Sequence, residues 1–196
     1  MKNIWWSADW HMNHQNITGP KVSQWEKGYR DFDSTTEMNE HLIKQINKYV
    51  KWEDTLYFLG DFCFKNHKDT PNWRDRFNCQ TIHFIRGNHD NHIDKYKNSF
   101  TSLNDVLTYK DENGHTFFMS HYPHLSWHHA SRGVIMLHGH EHGVLNHLNV
   151  NVKRLDIGID SAKMIFNEYK PFSKEEILDI VNKKGNLHLG HHNGQI

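Results

Sequence analysis

The sequence is short of several features, and each shortage excludes a class of protein. Only two of its 196 residues are cysteine, Cys63 and Cys79. Two thiols at that separation make neither a disulfide framework nor a cysteine zinc site, and they read as reduced, buried thiols. Net charge is absent as well, with Lys plus Arg and Asp plus Glu at 23 each. A surface that tracks duplex nucleic acid needs clustered cations, so long nucleic acid is not an expected partner. No apolar run approaches the ~20 residues that span a bilayer. The first residues hold only Ile4-Trp5-Trp6, without the apolar core and cleavage site of a signal peptide. The expected setting is cytoplasmic, with no membrane partner. There are four prolines and no repeat, low-complexity tract or Pro/Ser-rich linker to divide the chain. Residues 1–185 are expected to form one domain, and 186–196, with His188, His191 and His192, a mobile tail.

What is present is a globular composition, 36% hydrophobic and rich in aromatics, with 19 histidines. Nearly one residue in ten is therefore an imidazole, the commonest metal ligand and the group that titrates near neutrality. Position decides which of them matter. Short apolar runs alternate with turn signals and helical patterns, the layout of an α/β domain. Strands are expected at 3–7, 55–59, 81–86, 116–120, 134–137 and 152–157. The run Leu56-Tyr57-Phe58-Leu59 is apolar throughout, which suits a strand covered on both faces. After Ser34, Met38, Leu42, Ile46 and Tyr49 or Val50 recur at helical spacing. Ser34 with Glu37, and Ser173 with Glu176, read as capping boxes, and Phe172 with Ile177 as a hydrophobic staple. Gly185 marks a stop for the second helix.

Polar clusters follow the strands directly. They are Asp9-Trp10-His11, Gly60-Asp61, Gly87-Asn88-His89-Asp90, His121, and His138-Gly139-His140-Glu141-His142. Ligands of open α/β sheets bind beyond the carboxyl ends of the strands, so five loops deliver metal-ligand residue types to one sheet edge. Taken singly, each piece has an ordinary explanation as a turn glycine, a hydrogen-bonded core histidine or a solvated loop. Five in order, all after strands and none with cysteine, are hard to explain that way.

Together these motifs resemble the calcineurin-like metallophosphoesterase superfamily, and within it the small single-domain enzymes of bacteria and phages. His14-Gln15-Asn16-Ile17, His121-Tyr122-Pro123, Asp156-Ile157-Gly158-Ile159-Asp160 and Tyr169-Lys170-Pro171 are similar to that subgroup too. The resemblance implies a four-layer α/β/β/α sandwich of two mixed sheets flanked by helices. It also implies a dinuclear centre. One ion would be held by Asp9, His11, Asp61 and His142, the other by Asp61, Asn88, His121 and His140, with Asp61 bridging. Nitrogen and oxygen ligands without thiolate suit Mn, Fe, Zn, Co or Ni.

The implied reaction is hydrolysis of a small phosphate ester, a phosphodiester such as a nucleotide, by a hydroxide shared between the two ions. His89 would be general acid. Asp90 would either orient that imidazole or merely cap the turn. Asn88, His14, Arg86, His124, Trp127 and Arg132 are candidates for substrate contacts, with Trp127 stacking on a base, Trp10 and Asn13 beside them, and 122–132 deciding substrate choice. A phosphomonoesterase with the same site is the near alternative. A metal-binding scaffold without catalysis is the alternative of another class, and the presence of His89 with every ligand weighs against it. Gly60-Asp61 runs into Phe62-Cys63-Phe64 without the arginine of the protein serine/threonine phosphatases, and Asp90 stands where they carry Glu.

Overall fold

A computed structural model describes residues 2–64 and 67–188. Strands β1 (Ile4–Ser7), β2 (Thr55–Phe58), β3 (Thr81–Ile85) and β4 (Ser102–Asn104) run parallel, and β9 (Phe172–Ser173) closes the sheet antiparallel to β1, in the order β4-β3-β2-β1-β9. A second sheet, β5-β6-β7-β8, joins β5 (Val106–Lys110) antiparallel to β6 (Thr116–Ser120), with β7 (Ile135–His138) and β8 (Arg154–Asp156) parallel beyond it. Two mixed sheets flanked by helices form the α/β fold expected of this kind of sequence.

Strand β2 shows why its sequence does not alternate. Tyr57 and Leu59 point between the sheets, where they join Trp6, Ile85, Phe117, Met119, Leu137 and Leu155. Leu56 and Phe58 point the other way, onto Met38, Leu42 and Ile46. Those three lie on α2 (Thr35–Tyr49). Both faces are dry, so both sets of alternate residues must be apolar. The Ser34 side chain accepts the Glu37 amide as expected, but the Glu37 carboxylate takes the amide of Asp33 instead of Ser34, so this box is only half made. At α5 (Lys174–Val181) the Ser173–Glu176 box is complete, and the staple residues Phe172 and Ile177 are both fully buried.

Three strands escape the sequence pattern. β4 and β9 have only three and two residues, and β5 alternates between exposed and half-buried positions, with no apolar face to announce it. Short helices α1 (Gln15–Thr18), α3 (Thr70–Asp75) and α4 (Ile159–Phe166) complete the set.

The start of the expected tail is attached. Gly185 pairs with Val152, Asn186 Nδ2 donates to Ser131 O at 3.3 Å, and Leu187 packs on the cluster of Trp127, Ala130, Val134 and Met136 outside β7. Contacts with the rest of the fold therefore continue to Leu187. Residues 189–196, with His191 and His192, lie outside those described. Cys63 and Cys79 are free and buried, and burial pushes the Cys63 thiol up to about 11. Among the described residues no helix is long and apolar enough to cross a membrane.

Candidate metal centre and active-site cleft

The chain leaves β1, β2, β3, β6 and β7 at the same end of the two sheets, and each exit carries polar residues into one cleft. Backbone bonds lace the loops together: Asp9 N to Gly60 O at 2.9 Å, His11 N to Asp61 O at 3.0 Å and Gly139 N to His121 O at 3.0 Å. The loops turn sharply. Asp9, His11, Asp61, His140 and His142 all have positive φ, between 49° and 72°. An L residue in that region costs roughly 1–2 kcal/mol, so the rest of the fold holds these five side chains where local preference would not put them.

Two glycines make room for the convergence. A Cβ on Gly139 would stand 2.7 Å from the Asp9 carboxylate, and one on Gly87 would overlap the Asp61 carboxylate. No side chain fits at either place.

Two groups of ligand atoms result, each with its members within 4.8 Å of one another: Asp9, His11 and His142, and Asp61, His121 and His140. Asp61 lies between them. Its Oδ2 is 3.6 Å from His11 Nε2 and 3.5 Å from His121 Nε2, while its Oδ1 accepts the His89 amide at 2.9 Å. Asn88 Oδ1 sits 3.0 Å from His121 Nε2 and 2.9 Å from His140 Nδ1.

The hydrogen bonds behind these rings decide which way their lone pairs face. His121 Nδ1 donates to Leu59 O at 2.7 Å, so Nε2 carries a lone pair toward Asp61 Oδ2 and Asn88 Oδ1. Burial pushes the His121 imidazole down to about 4, which keeps it neutral. His142 Nδ1 donates to Asp160 Oδ2 at 2.6 Å and turns Nε2 to within 3.2 Å of His11 Nε2. His121, Asn88 and Asp61 thus turn electron pairs toward one another, an arrangement complementary to a cation.

Charge points the same way. Asp9, Asp61, Asp90 and Asp156 are buried, and burial raises the pKa of each. Burial also lowers His142, but its bond to Asp160 and the nearby charge of Asp9 prevail and hold it at about 9. A field that binds a proton so firmly also draws a dication to the same nitrogen. The donor set is nitrogen and oxygen without thiolate, and it fits a dinuclear divalent metal site.

Behind the ligands lies a group that the motifs do not reveal. Arg30 grips Asp160 with Nε–Oδ1 at 2.7 Å and Nη2–Oδ2 at 2.8 Å, and also donates to Asp9 O and Trp10 O. Asp160 in turn orients His142. Asp156 accepts the amides of Gly143 and Gly158 and so fixes the loop after His142. The Asp156–Asp160 stretch was legible only as a likeness to a subgroup. Nothing in Gly28-Tyr29-Arg30 marks Arg30 in advance.

The remaining candidates divide. His14, Asn88 and His89 line the cleft, a cavity of about 410 Å³. The His14 ring stacks on Phe64 at 3.8 Å, and His89 lies between Phe64 and His11 at 5.0 and 5.6 Å. Asp90 does not hold the His89 ring: its two oxygens accept the amides of Asp61, Phe62 and Gly87, making it the staple that joins two ligand loops.

Four of the suggested substrate contacts do not line this cleft. Arg86 is paired with Asp94 and Asp105 beside a separate hollow. His124 Nε2 meets Ser120 Oγ at 3.1 Å. Trp127 is buried and donates to Val134 O at 2.8 Å, so it packs and does not stack on a ligand there. Arg132 is exposed on the turn Ala130–Arg132, where it borders another hollow with Trp127. Trp10 belongs to the core against Phe58 and Phe77, and Asn13 is bonded to Asn39. From 122–132 only Tyr122 reaches the centre, its ring 4.7 Å from His140.

With five ligand-bearing loops and two neighbouring donor groups, Asp61 of one lying 3.6 Å from His11 of the other, the chain has the anatomy of a metal-dependent phosphoesterase. It belongs to the calcineurin-like phosphoesterase family, whose model matches residues 2–195. An uncharacterised protein of Methanocaldococcus jannaschii is 33% identical over 189 residues, covering 93% of each chain. The gene 66 protein of Mycobacterium phage L5 is 25% identical, covering 93% of this chain and 95% of its own. Among solved structures, a protein of unknown function from Aquifex aeolicus shares the fold with a TM-score of 0.64 at 21% identity, covering 92% of this chain and all of that one.

Proposed function

We propose that the chain hydrolyses a small phosphodiester, such as a nucleotide, at a centre of two divalent transition ions. Asp9, His11, Asp61 and His142 would hold one ion, and Asp61, Asn88, His121 and His140 the other. Bound there, the ions supply positive charge for the ester oxygens and make water a competent nucleophile at neutral pH. The observation that carries this reading is the position of Asp61 Oδ2, within 3.6 Å of a nitrogen from each donor group.

The chain's own groups divide the other tasks. Asn88 turns Oδ1 toward His121 and His140, so its amide NH2 is the donor left for an ester oxygen. His89 stands at the cleft wall, and its backbone N–H on Asp61 Oδ1 fixes its distance from the centre. From there its imidazole gives a proton to the departing alkoxide, a step an alkyl ester needs and one usually worth about 10²–10⁴ in rate. Asp90 contributes by holding the Asp61 and Gly87 loops at one spacing.

The test is a comparison of aryl phosphate mono- and diesters on metal-reconstituted protein, with chelator-treated protein as control. His89→Ala should lower turnover of alkyl diesters by about 10²-fold or more while metal content stays unchanged. Unchanged turnover would remove His89 from the reaction. No hydrolysis of any ester by metal-loaded protein would remove the enzyme reading.

A further inference from the structure

The lining of the cleft is of two kinds: His11, Asp61, Asn88, His140 and His142 are among its polar residues, and Ile17, Trp25, Tyr29, Val144 and Met164 are its apolar and aromatic ones. Three of these apolar side chains are open to solvent, with Trp25 45%, Met164 64% and Val144 69% exposed. Exposed apolar groups gathered beside a polar centre mark a place where a ligand completes the burial.

Trp25 is held there. Its loop is tied at both ends, by Ser23 N to Gly19 O at 2.9 Å and Arg30 N to Ile17 O at 2.7 Å, and inside by Gln24 N to Asn16 Oδ1 and Trp25 N to Ser23 Oγ. The indole meets His14 edge-on at 5.4 Å, and His14 lies 5.3 Å from His11. Two ring contacts thus separate Trp25 from the metal-ligand group, close enough for one small molecule to touch both.

Charge narrows the occupant. The only guanidinium or ammonium among the described residues lining the cavity is that of Arg30. Its nitrogens are engaged by Asp160, Asp9 O and Trp10 O. No guanidinium or ammonium of the lining is left free for a second phosphate.

We infer that this apolar part of the lining is a subsite for a planar aromatic group, borne by an ester with a single phosphate, and that Trp25 is its specificity-determining residue. The inference rests on the phosphoesterase reading and narrows its substrate class. Stacking on an indole accepts any ring with a π face, while Met164 and Val144 supply apolar contact without donors of their own. Polyphosphates and purely aliphatic esters fall outside the class.

Calorimetric titration of the metal-loaded full chain tests this with three diesters that each carry one phosphate: dimethyl phosphate, methyl phenyl phosphate and the methyl ester of adenosine 5′-monophosphate. At least one aromatic ester should bind about tenfold tighter than dimethyl phosphate. Whichever of the two binds tighter shows whether the ring is taken directly on the phosphate or across a ribose. Trp25→Ala should erase most of that ratio and Trp25→Phe should keep most of it; because Trp25 is exposed, neither change opens the core. Equal binding of all three esters, or a ratio that survives Trp25→Ala, overturns the subsite. Failure of every ester to bind protein that carries its metals would instead overturn the phosphoester reading, and the subsite with it.

Discussion

Replacing Asp160 by Asn probes how the centre is held together. Three donors converge on that carboxylate: Arg30 Nε at 2.7 Å, Arg30 Nη2 at 2.8 Å and His142 Nδ1 at 2.6 Å. An amide offers a single oxygen and sets an NH2 against the remaining donor, so at least one bond is lost and one contact becomes repulsive. The Arg30 side chain is 2% exposed and that of Asp160 14%. Removing one member of such a buried pair costs about 3–5 kcal/mol, because the other charge is left uncompensated. Arg30 keeps its bonds to Asp9 O and Trp10 O, so the lower end, about 3 kcal/mol, is expected. With a urea dependence of about 2 kcal/mol per molar, the unfolding midpoint should drop by about 1.5 M.

A second effect should appear at the metals. Without Asp160 the His142 ring is free to turn, and loss of such a support typically weakens metal binding by about 10–100-fold. Urea unfolding of the metal-free chain and competition titration with a chelating dye measure the two effects separately. The double variant Arg30→Met with Asp160→Leu sharpens the comparison. It should recover much of the stability, since no buried charge is left unpaired, and none of the metal affinity. An Asp160→Asn protein with an unshifted midpoint and metal affinity within about twofold of the parent would refute the reasoning.

Two further outcomes are expected elsewhere. Trp127→Ala should cost about 3–5 kcal/mol in urea unfolding but leave KM for a phosphodiester unchanged, since the indole fills the layer outside β7; a large rise in KM would return it to the substrate site. Asp111→Ala should cost about 1–2 kcal/mol at neutral pH, because that carboxylate accepts the Asn113 and His115 amides and pairs with Lys174. Burial tends to raise the Asp111 pKa, but its bonds to His115 and Lys174 prevail and depress it. Its contribution is therefore complete above the unfolded value of about 3.9 and fades as pH falls through the lower folded value. Midpoints of parent and variant should converge in that acid window, and a constant gap would contradict the assignment.

What could be read from the sequence follows from where information is local. An Asp, His or Asn just past an apolar strand is visible in a linear string, so the donor residues could be set down before their geometry was known. So could the two-faced burial of β2, because its apolar run does not alternate. The φ strain at Asp9, His11, Asp61, His140 and His142 was not legible: Asp and His enter left-handed turns more often than most residues, but tertiary contacts decide which of them do. Arg30 escaped, and with it the role of Asp160, because their meaning lies in each other, 130 positions apart. Trp127 misled in the opposite sense. A tryptophan among histidines suggests a ligand platform, whereas its Nε1 bond to Val134 O assigns it to packing. The aromatic that does line the cleft, Trp25, sits in a loop with no motif, and only folding sets it against His14.

Crystals grown with manganese or zinc, with data collected at the metal's absorption edge, test the shared carboxylate most directly. Two anomalous peaks about 3.5–4 Å apart, both within coordinating distance of Asp61, are the expected result. A single peak, or two peaks with Asp61 bound to neither or to only one, would contradict it.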